Sequence, residues 1–237
     1  MDKYALITGS SDRIGKAIST LLAQKGYNLI LHYNSSRNKA EQLKNDLEDL
    51  GVSIKLIQID FMKSDDYDHY FQEWKEKGLS LELLVNCASD FVPSGFDDHG
   101  VALLDKQINI NFKGAYILTK AFARIFDKGQ IVNFLDTKIT KNTTTHLDYL
   151  LSKKLLRDFT LLSAVELAPR FRVNAISPGL ILPPADKDQS YLDHLAKGIP
   201  LKKSGNINDI LRAMEFLVDS DFVTGQILYI DGGDHLI

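Results

Sequence analysis

Seven short apolar runs, most of them rich in β-branched residues, recur along this chain with longer helical patterns between them. They are YALIT at 4–8, NLILHY at 28–33, IKLIQI at 54–59, ELLVNC at 82–87, QIVNFL at 130–135, RVNAIS at 172–177 and QILYI at 226–230. A strand that is apolar at successive positions must be buried on both faces, and the connecting helices are what bury it. Helical patterns fall at 14–25, 37–50, 64–77, 104–127, 146–167 and 207–218. In the second, Ala40, Leu43, Leu47 and Leu50 recur at three- and four-residue steps. The alternation predicts one α/β domain over 1–237, a doubly wound seven-stranded parallel sheet with helices on both faces. Gly26, Gly51, Gly78 and Gly129 each fall between a helix and the next strand, where a left-handed cap is wanted. Ligands of such a sheet sit at the carboxyl ends of its strands, so the residues that follow strands carry the chemistry. The segment 178–206 lacks a clear period and holds Pro178, Pro183, Pro184 and Pro200. Starting at a strand end, it is a candidate substrate loop or lid.

Charge and composition exclude several kinds of partner. The 28 Lys and Arg against 31 Asp and Glu give a net charge of −3 with no basic stripe. That balance points away from nucleic acid and from anionic membrane surfaces. Cys87 stands alone and the six histidines are scattered, so neither a disulfide nor a metal site is expected. No run approaches the roughly 18 apolar residues of a membrane span. The N-terminal MDKYALITGS has no targeting pattern, and the expected location is the cytoplasm.

The first strand runs into Thr8-Gly9-Ser10-Ser11-Asp12-Arg13-Ile14-Gly15 and then a helix. A tight glycine turn at a helix N-terminus aims backbone N–H groups at a phosphate. Arg13, whose planar fork suits phosphate, stands where a middle glycine might be. Asp12 is a discordant acid there, expected to turn outward. The second strand ends His32-Tyr33-Asn34-Ser35-Ser36-Arg37, without the acid that would bond ribose hydroxyls and repel a 2′-phosphate. Asn34 and Ser35 as donors, flanked by Arg13 and Arg37, point to NADPH over NADH. Asn34-Ser35-Ser36 reads equally well as a turn and helix cap. Tyr149 and Lys153, four apart, share one face of a helix. A lysine ammonium there is expected to draw the phenol's pKa downward toward the working range.

Thr8-Gly9 to Gly15, Asn86-Cys87-Ala88-Ser89, Asn111, Tyr149-Lys153, Ser177-Pro178-Gly179 and Asp231-Gly232-Gly233 stand in one order along the chain. The whole resembles the short-chain dehydrogenase/reductase family. The resemblance implies a Rossmann fold, a homotetramer and a nicotinamide cofactor. Of the family's Asn-Ser-Tyr-Lys catalytic set it implies Asn111, Tyr149 and Lys153, with Asn111 supporting a water chain to Lys153. Cofactor contacts are implied at Gly9, Arg13, Ile14, Gly15, Asn34, Ser35, Asp60, Phe61, Asn86, Ala88, Tyr149, Lys153, Pro178 and Gly179.

The family's serine, thirteen residues before the tyrosine, is replaced by Asp136. A carboxylate there would repel the oxyanion of a ketone reduction, but it suits a C=N bond whose nitrogen must gain a proton. With Arg13, Ala88-Ser89 and Phe91, it makes the chain similar to the pteridine reductase branch. That likeness implies a small-molecule pterin as substrate, with contacts at Ser89, Phe91, Asp136, Tyr149, Leu180 and, within 178–206, Tyr191. Phe91 would stack the pterin ring. Cys87 reads as a small inert residue and His146 as a surface one. Two other readings stay open: a 3-oxoacyl-thioester or other carbonyl reductase of the same family, and a non-catalytic NADPH sensor.

Overall fold

The computed structural model describes residues 3–63, 66–98, 100–143, 145–184 and 187–237. Its strands are β1 (Lys3–Ile7), β2 (Asn28–Tyr33), β3 (Ile54–Gln58), β4 (Ser80–Asn86), β5 (Gly129–Phe134), β6 (Phe171–Pro178) and β7 (Ile227–Ile230). All pair in parallel, in the order β3-β2-β1-β4-β5-β6-β7. The seven expected strands are therefore all present. The order reverses between β1 and β4, which opens a crevice at their carboxyl ends.

Alternate residues of each strand feed opposite layers. Ala5 and Ile7 of β1 join Ile18 and Leu22 of α1 (Arg13–Gln24), Leu43 and Leu47 of α2 (Arg37–Glu48), and Ile210 and Met214 of α8 (Ile207–Asp219). Tyr4 and Leu6 face the other way. They pack with Phe71 and Trp74 of α3 (Asp68–Glu76) and Leu118 and Phe122 of α5 (Gly114–Ile125). α6 (Leu147–Glu166) lies on that second side, its Ala164 sharing the cluster with Val173 of β6.

Three features depart from the sequence expectation. The pattern read as one helix over 104–127 is α4 (Ala102–Ile108), a π-helical turn over Asn109–Lys113, and α5. The aperiodic 178–206 segment contains α7 (Gln189–Ala196), an eight-residue helix capped by Asp188. Gly26, Gly51 and Gly78 have positive φ as helix caps require, but Gly129 does not. Gly129 opens β5, where a Cβ would meet Phe122 Cζ at 2.5 Å. Close packing, not backbone conformation, demands glycine there.

Candidate active site

The strand ends enclose a cleft of about 800 Å³. On one side β1 turns into α1 through Gly9, at φ +62°, where a Cβ would meet Ala88 Cα at 2.8 Å. The turn is tied to its neighbours. Gly9 N donates to His32 Nδ1 (3.1 Å) and Ser10 Oγ to the His32 carbonyl (3.0 Å). Thr8 Oγ1 accepts from the Cys87 and Ala88 amides at 2.9 and 3.0 Å. Asp12 caps α1 and pairs with Lys39, whose bond holds its carboxyl below the usual range. It still contributes to the cleft lining and so is not turned fully away as expected. Asn34, Ser35 and Ser36 line the cleft, with no carboxylate at the end of β2.

The two arginines behave differently from the expectation. Arg37 is on the exposed face of α2, bonded to Glu41 at 2.8 Å, and is not part of the cleft wall. Arg13 is on the wall, but its guanidinium donates to the Leu182 and Pro183 carbonyls (3.4 and 3.0 Å) and so bridges the cleft to the segment after β6. The flanking pair is thereby reduced to one arginine, because an i,i+4 carboxylate satisfies the other.

His32 was not singled out by itself in the sequence, yet it holds three strand ends together. Its Nδ1 accepts from Gly9 and its Nε2 bonds the Ile59 carbonyl at 3.0 Å, while its ring packs on Phe61. Burial lowers its pKa from 6.5 to about 4. The folded state therefore resists a proton that the unfolded chain takes up readily. This contribution to stability is complete above pH 6.5 and is lost as pH falls through the interval down to about 4. At full extent it amounts to on the order of 3 kcal/mol. Urea unfolding between pH 7 and 4.5 should show the decline, with the His32 imidazole silent by NMR above about pH 5. An imidazole titrating at its ordinary value would contradict it.

The opposite wall carries the acid–base groups. Asp136 follows β5 and caps a short 3₁₀ turn over Thr137–Thr140, accepting from Lys138 N at 2.8 Å. Its other oxygen accepts from the buried Tyr149 hydroxyl at 2.9 Å. Burial, followed by the charge and hydrogen bond of Asp136, pushes the Tyr149 phenol well above its ordinary value of 10. This corrects the expectation of a lowered phenol: Lys153 Nζ is 5.9 Å from the ring centroid and donates instead to the Phe134 carbonyl (2.8 Å). Lys153 is buried, which brings its own pKa down to about 8. Cys87 is on the wall nearby, its thiol pushed up to about 12 by burial, consistent with an inert residue.

Other expected residues are distributed unevenly. Ile14, Gly15, Phe61, Ala88, Ser89, Phe91, Pro178 and Gly179 line the cleft. Asp60 is behind it, bonded to Met62 N, and Asn86 is buried against Asn133. Leu180 gives its carbonyl to Gly205 and Tyr191 is on α7; neither is on the wall, where Ile181, Leu182 and Pro184 stand instead. The Asn111 side chain, in the π-turn, clamps Asp90 through both its backbone N (2.7 Å) and O (3.0 Å). It also donates to Ser152 Oγ at 3.0 Å, and Ser152 bonds the Tyr149 carbonyl. That side chain positions the 87–91 loop against α6 and is itself off the cleft wall.

His146 is not a free surface residue. Its ring stacks on Phe91 at 4.2 Å and 14°, and Phe91 meets Tyr149 edge-on at 4.7 Å. The loop that brings them together is fixed by Ser94, which pairs with His146 and bonds Asp148 N at the start of α6. A histidine three residues before the tyrosine was the available signal in the sequence.

A parallel sheet of this order, with a glycine turn facing a Tyr–Lys helix across its switch point, defines a dinucleotide-dependent oxidoreductase of one family. Residues 9–235 match the family model described as enoyl-(acyl carrier protein) reductase. The chain belongs to the short-chain dehydrogenase/reductase family, whose members use a nicotinamide dinucleotide. Among its relatives, the 3-oxoacyl-(acyl-carrier-protein) reductase of Homo sapiens is 32% identical over 247 residues, spanning 100% of both chains. The enzyme FabG of the same description from Staphylococcus epidermidis is 29% identical over 244 residues, again 100% of both. Among solved structures, FolM alternative dihydrofolate reductase 1 from Brucella canis, complexed with NADP, has a TM-score of 0.89 at 30% identity. It is matched over 100% of this chain and 95% of that one.

Proposed function

We propose that this chain is an NADPH-dependent reductase of 7,8-dihydropterins of the dihydromonapterin, dihydrobiopterin or dihydrofolate type. The observation that carries the reading is the Asp136–Tyr149 hydrogen bond at 2.9 Å. It puts a carboxyl group where carbonyl reduction requires a neutral hydroxyl donor, because a developing oxyanion is stabilised by donors and repelled by negative charge. A C=N bond makes the opposite demand: its nitrogen takes up a proton.

The residues fit the dinucleotide. Gly15 admits no Cβ (Gly9 O would be 2.1 Å away), so α1 starts hard against the turn with its N-terminus facing the cleft. The absence of acid after β2, with Asn34, Ser35 and Arg13 in place, favours the 2′-phosphorylated form. The bound dinucleotide supplies the hydride that goes to pterin C6. Tyr149, kept as a neutral phenol, gives its proton to N5. Asp136 orients that hydroxyl and takes the pterin's donor side. Lys153 holds a positive charge behind the phenol and the nicotinamide ribose hydroxyls before it. Phe91 and His146 form the aromatic edge against which the flat ring is set. On this reading the assembly is a homotetramer; Leu162 and Val165 of α6, 70% and 82% exposed, offer apolar surface for such contacts.

A second reading, reduction of a 3-oxoacyl thioester, is favoured by the 3-oxoacyl-(acyl-carrier-protein) reductases that are 29–32% identical over the full chain. Loss of NADPH absorbance with a dihydropterin, beside an acetoacetyl thioester, separates the two. Asp136→Ser should lower pterin turnover by about 10²-fold or more while changing NADPH affinity little. Undiminished pterin turnover, or activity on the thioester alone, would overturn the reading.

A further inference from the structure

Lys106 lines the cleft, Lys138 is on the 3₁₀ turn after Asp136 and Lys141 follows that turn; two of the three have carboxylate partners. Lys106 is paired with Asp90 at 2.9 Å and Lys141 with Asp234. Lys138 is different. It is half-buried on the 3₁₀ turn that Asp136 caps, and its ammonium is 4.8 Å from the centroid of the Phe91 ring. Among the described residues no carboxylate pairs with it. The closest acid along the chain, Asp136, is already engaged by the Tyr149 hydroxyl and by the backbone N–H of Lys138 itself. A cation–π contact with a partly exposed ring holds an ammonium more weakly than a charge-assisted hydrogen bond to an anion does.

The position of that ammonium follows from the chemistry already proposed for the site, on which this inference rests. If N5 faces the Tyr149 hydroxyl, the substituent on the adjacent C6 leaves the reacting bond directly toward the groups outside the phenol. Those groups are Phe91, edge-on to Tyr149, then His146 stacked on Phe91, and Lys138 over the same ring. His146 does not supply the charge, since burial, helped by Lys138, lowers its pKa. It is an uncharged wall.

We propose that Lys138 anchors an anionic subsite at the rim of the cleft, with Phe91 and His146 as its floor and wall, so that this enzyme favours dihydropterins whose C6 substituent carries a carboxylate or a phosphate. The ammonium exchanges its ring contact for the anion when such a substrate is seated. Steady-state kinetics with 7,8-dihydrofolate, a 7,8-dihydroneopterin phosphate and neutral 7,8-dihydrobiopterin test this on the full-length enzyme. Lys138→Met should lower the ratio of anionic to neutral kcat/KM about 10-fold, through KM rather than kcat, and the ratio should also fall with added salt in the wild type. Lys138→Arg should retain most of it. A response confined to one anion identifies which group the subsite takes. Equal effects on neutral and anionic pterins, or none, would overturn the proposal, provided that NADPH affinity and Tm of the variants match wild type. Wild-type enzyme that reduces the thioester and no pterin would overturn both this proposal and the reading beneath it.

Discussion

Tyr149→Phe should reduce turnover by about 10²–10⁴-fold, the usual contribution of a positioned proton donor, with NADPH affinity close to wild type. The hydroxyl is lost but the ring is kept, so the edge-on packing against Phe91 at 4.7 Å survives. What disappears is the hydroxyl that donates to Asp136 Oδ2. Burial and the neighbouring carboxyl raise the phenol's pKa, so it stays protonated across the working range and its own titration adds no alkaline limb there. Lys153 titrates closer to that range. Its pKa is brought down to about 8 by burial, so the ammonium is present below that pH and is lost above it. The rate of the wild type should therefore decline above about pH 8, as the positive charge behind the phenol disappears. Tyr149→Phe with near-wild-type kcat, measured by NADPH consumption, would remove Tyr149 from the chemistry under either substrate reading.

The inner strands were legible because β1, β2 and β5 are buried on both faces and read as near-continuous apolar runs. The edge strand β3 keeps enough apolar residues to be recognised although Lys55 and Gln58 are exposed. Tyr149 and Lys153 were legible as a pair for a similarly local reason, four residues on one helix. The direction of the Tyr149 shift was not. It depends on a carboxyl thirteen residues away that folding brings to 2.9 Å, and on how deeply α6 is covered. The break of the 104–127 pattern at the π-turn was hidden too, because Ile108, Phe112 and Ala115 continue an apolar face through it. The turn swings Asn111 inward to grip Asp90, a long-range contact that hydrophobic period does not encode. Arg13 and Arg37 looked equivalent in sequence. Glu41, one helical turn beyond Arg37, separates them, and that much was readable. The bridge from Arg13 to Pro183 spans 170 residues of sequence and was not. A position three residues before Tyr149 on a helix shares its face, which the reading of His146 as a surface residue did not use. The chain is not yet helical there: His146 has φ −147° and ψ 52° as the cap of α6, which turns its ring onto Phe91.

Gly15→Ala should weaken NADPH binding by at least about 10²-fold, or prevent the first turn from forming. A Cβ at this position would stand 2.1 Å from Gly9 O, 2.9 Å from Gly9 C and 3.1 Å from Ser10 Cα. All three obstacles are backbone, and the backbone is fixed by the bonds of Gly9 and Ser10 to His32. Relief requires α1 to move away from the turn, which misaligns the N–H groups aimed into the cleft. The contrast is Gly26→Ala. Nothing is within 4 Å of that Cβ, and φ is +76°, so the strain is purely conformational, about 1 kcal/mol. It is at the far end of α1, remote from the cleft. The two variants thus separate a general loss of stability from loss of a phosphate cradle. Gly26→Ala should lower Tm by a few degrees with the dinucleotide affinity intact, whereas Gly15→Ala should lose affinity by more than its Tm change explains. Fluorescence titration with NADPH beside thermal unfolding measures both. Equal affinities in the two variants would mean that the turn supports the sheet and does not hold the phosphates.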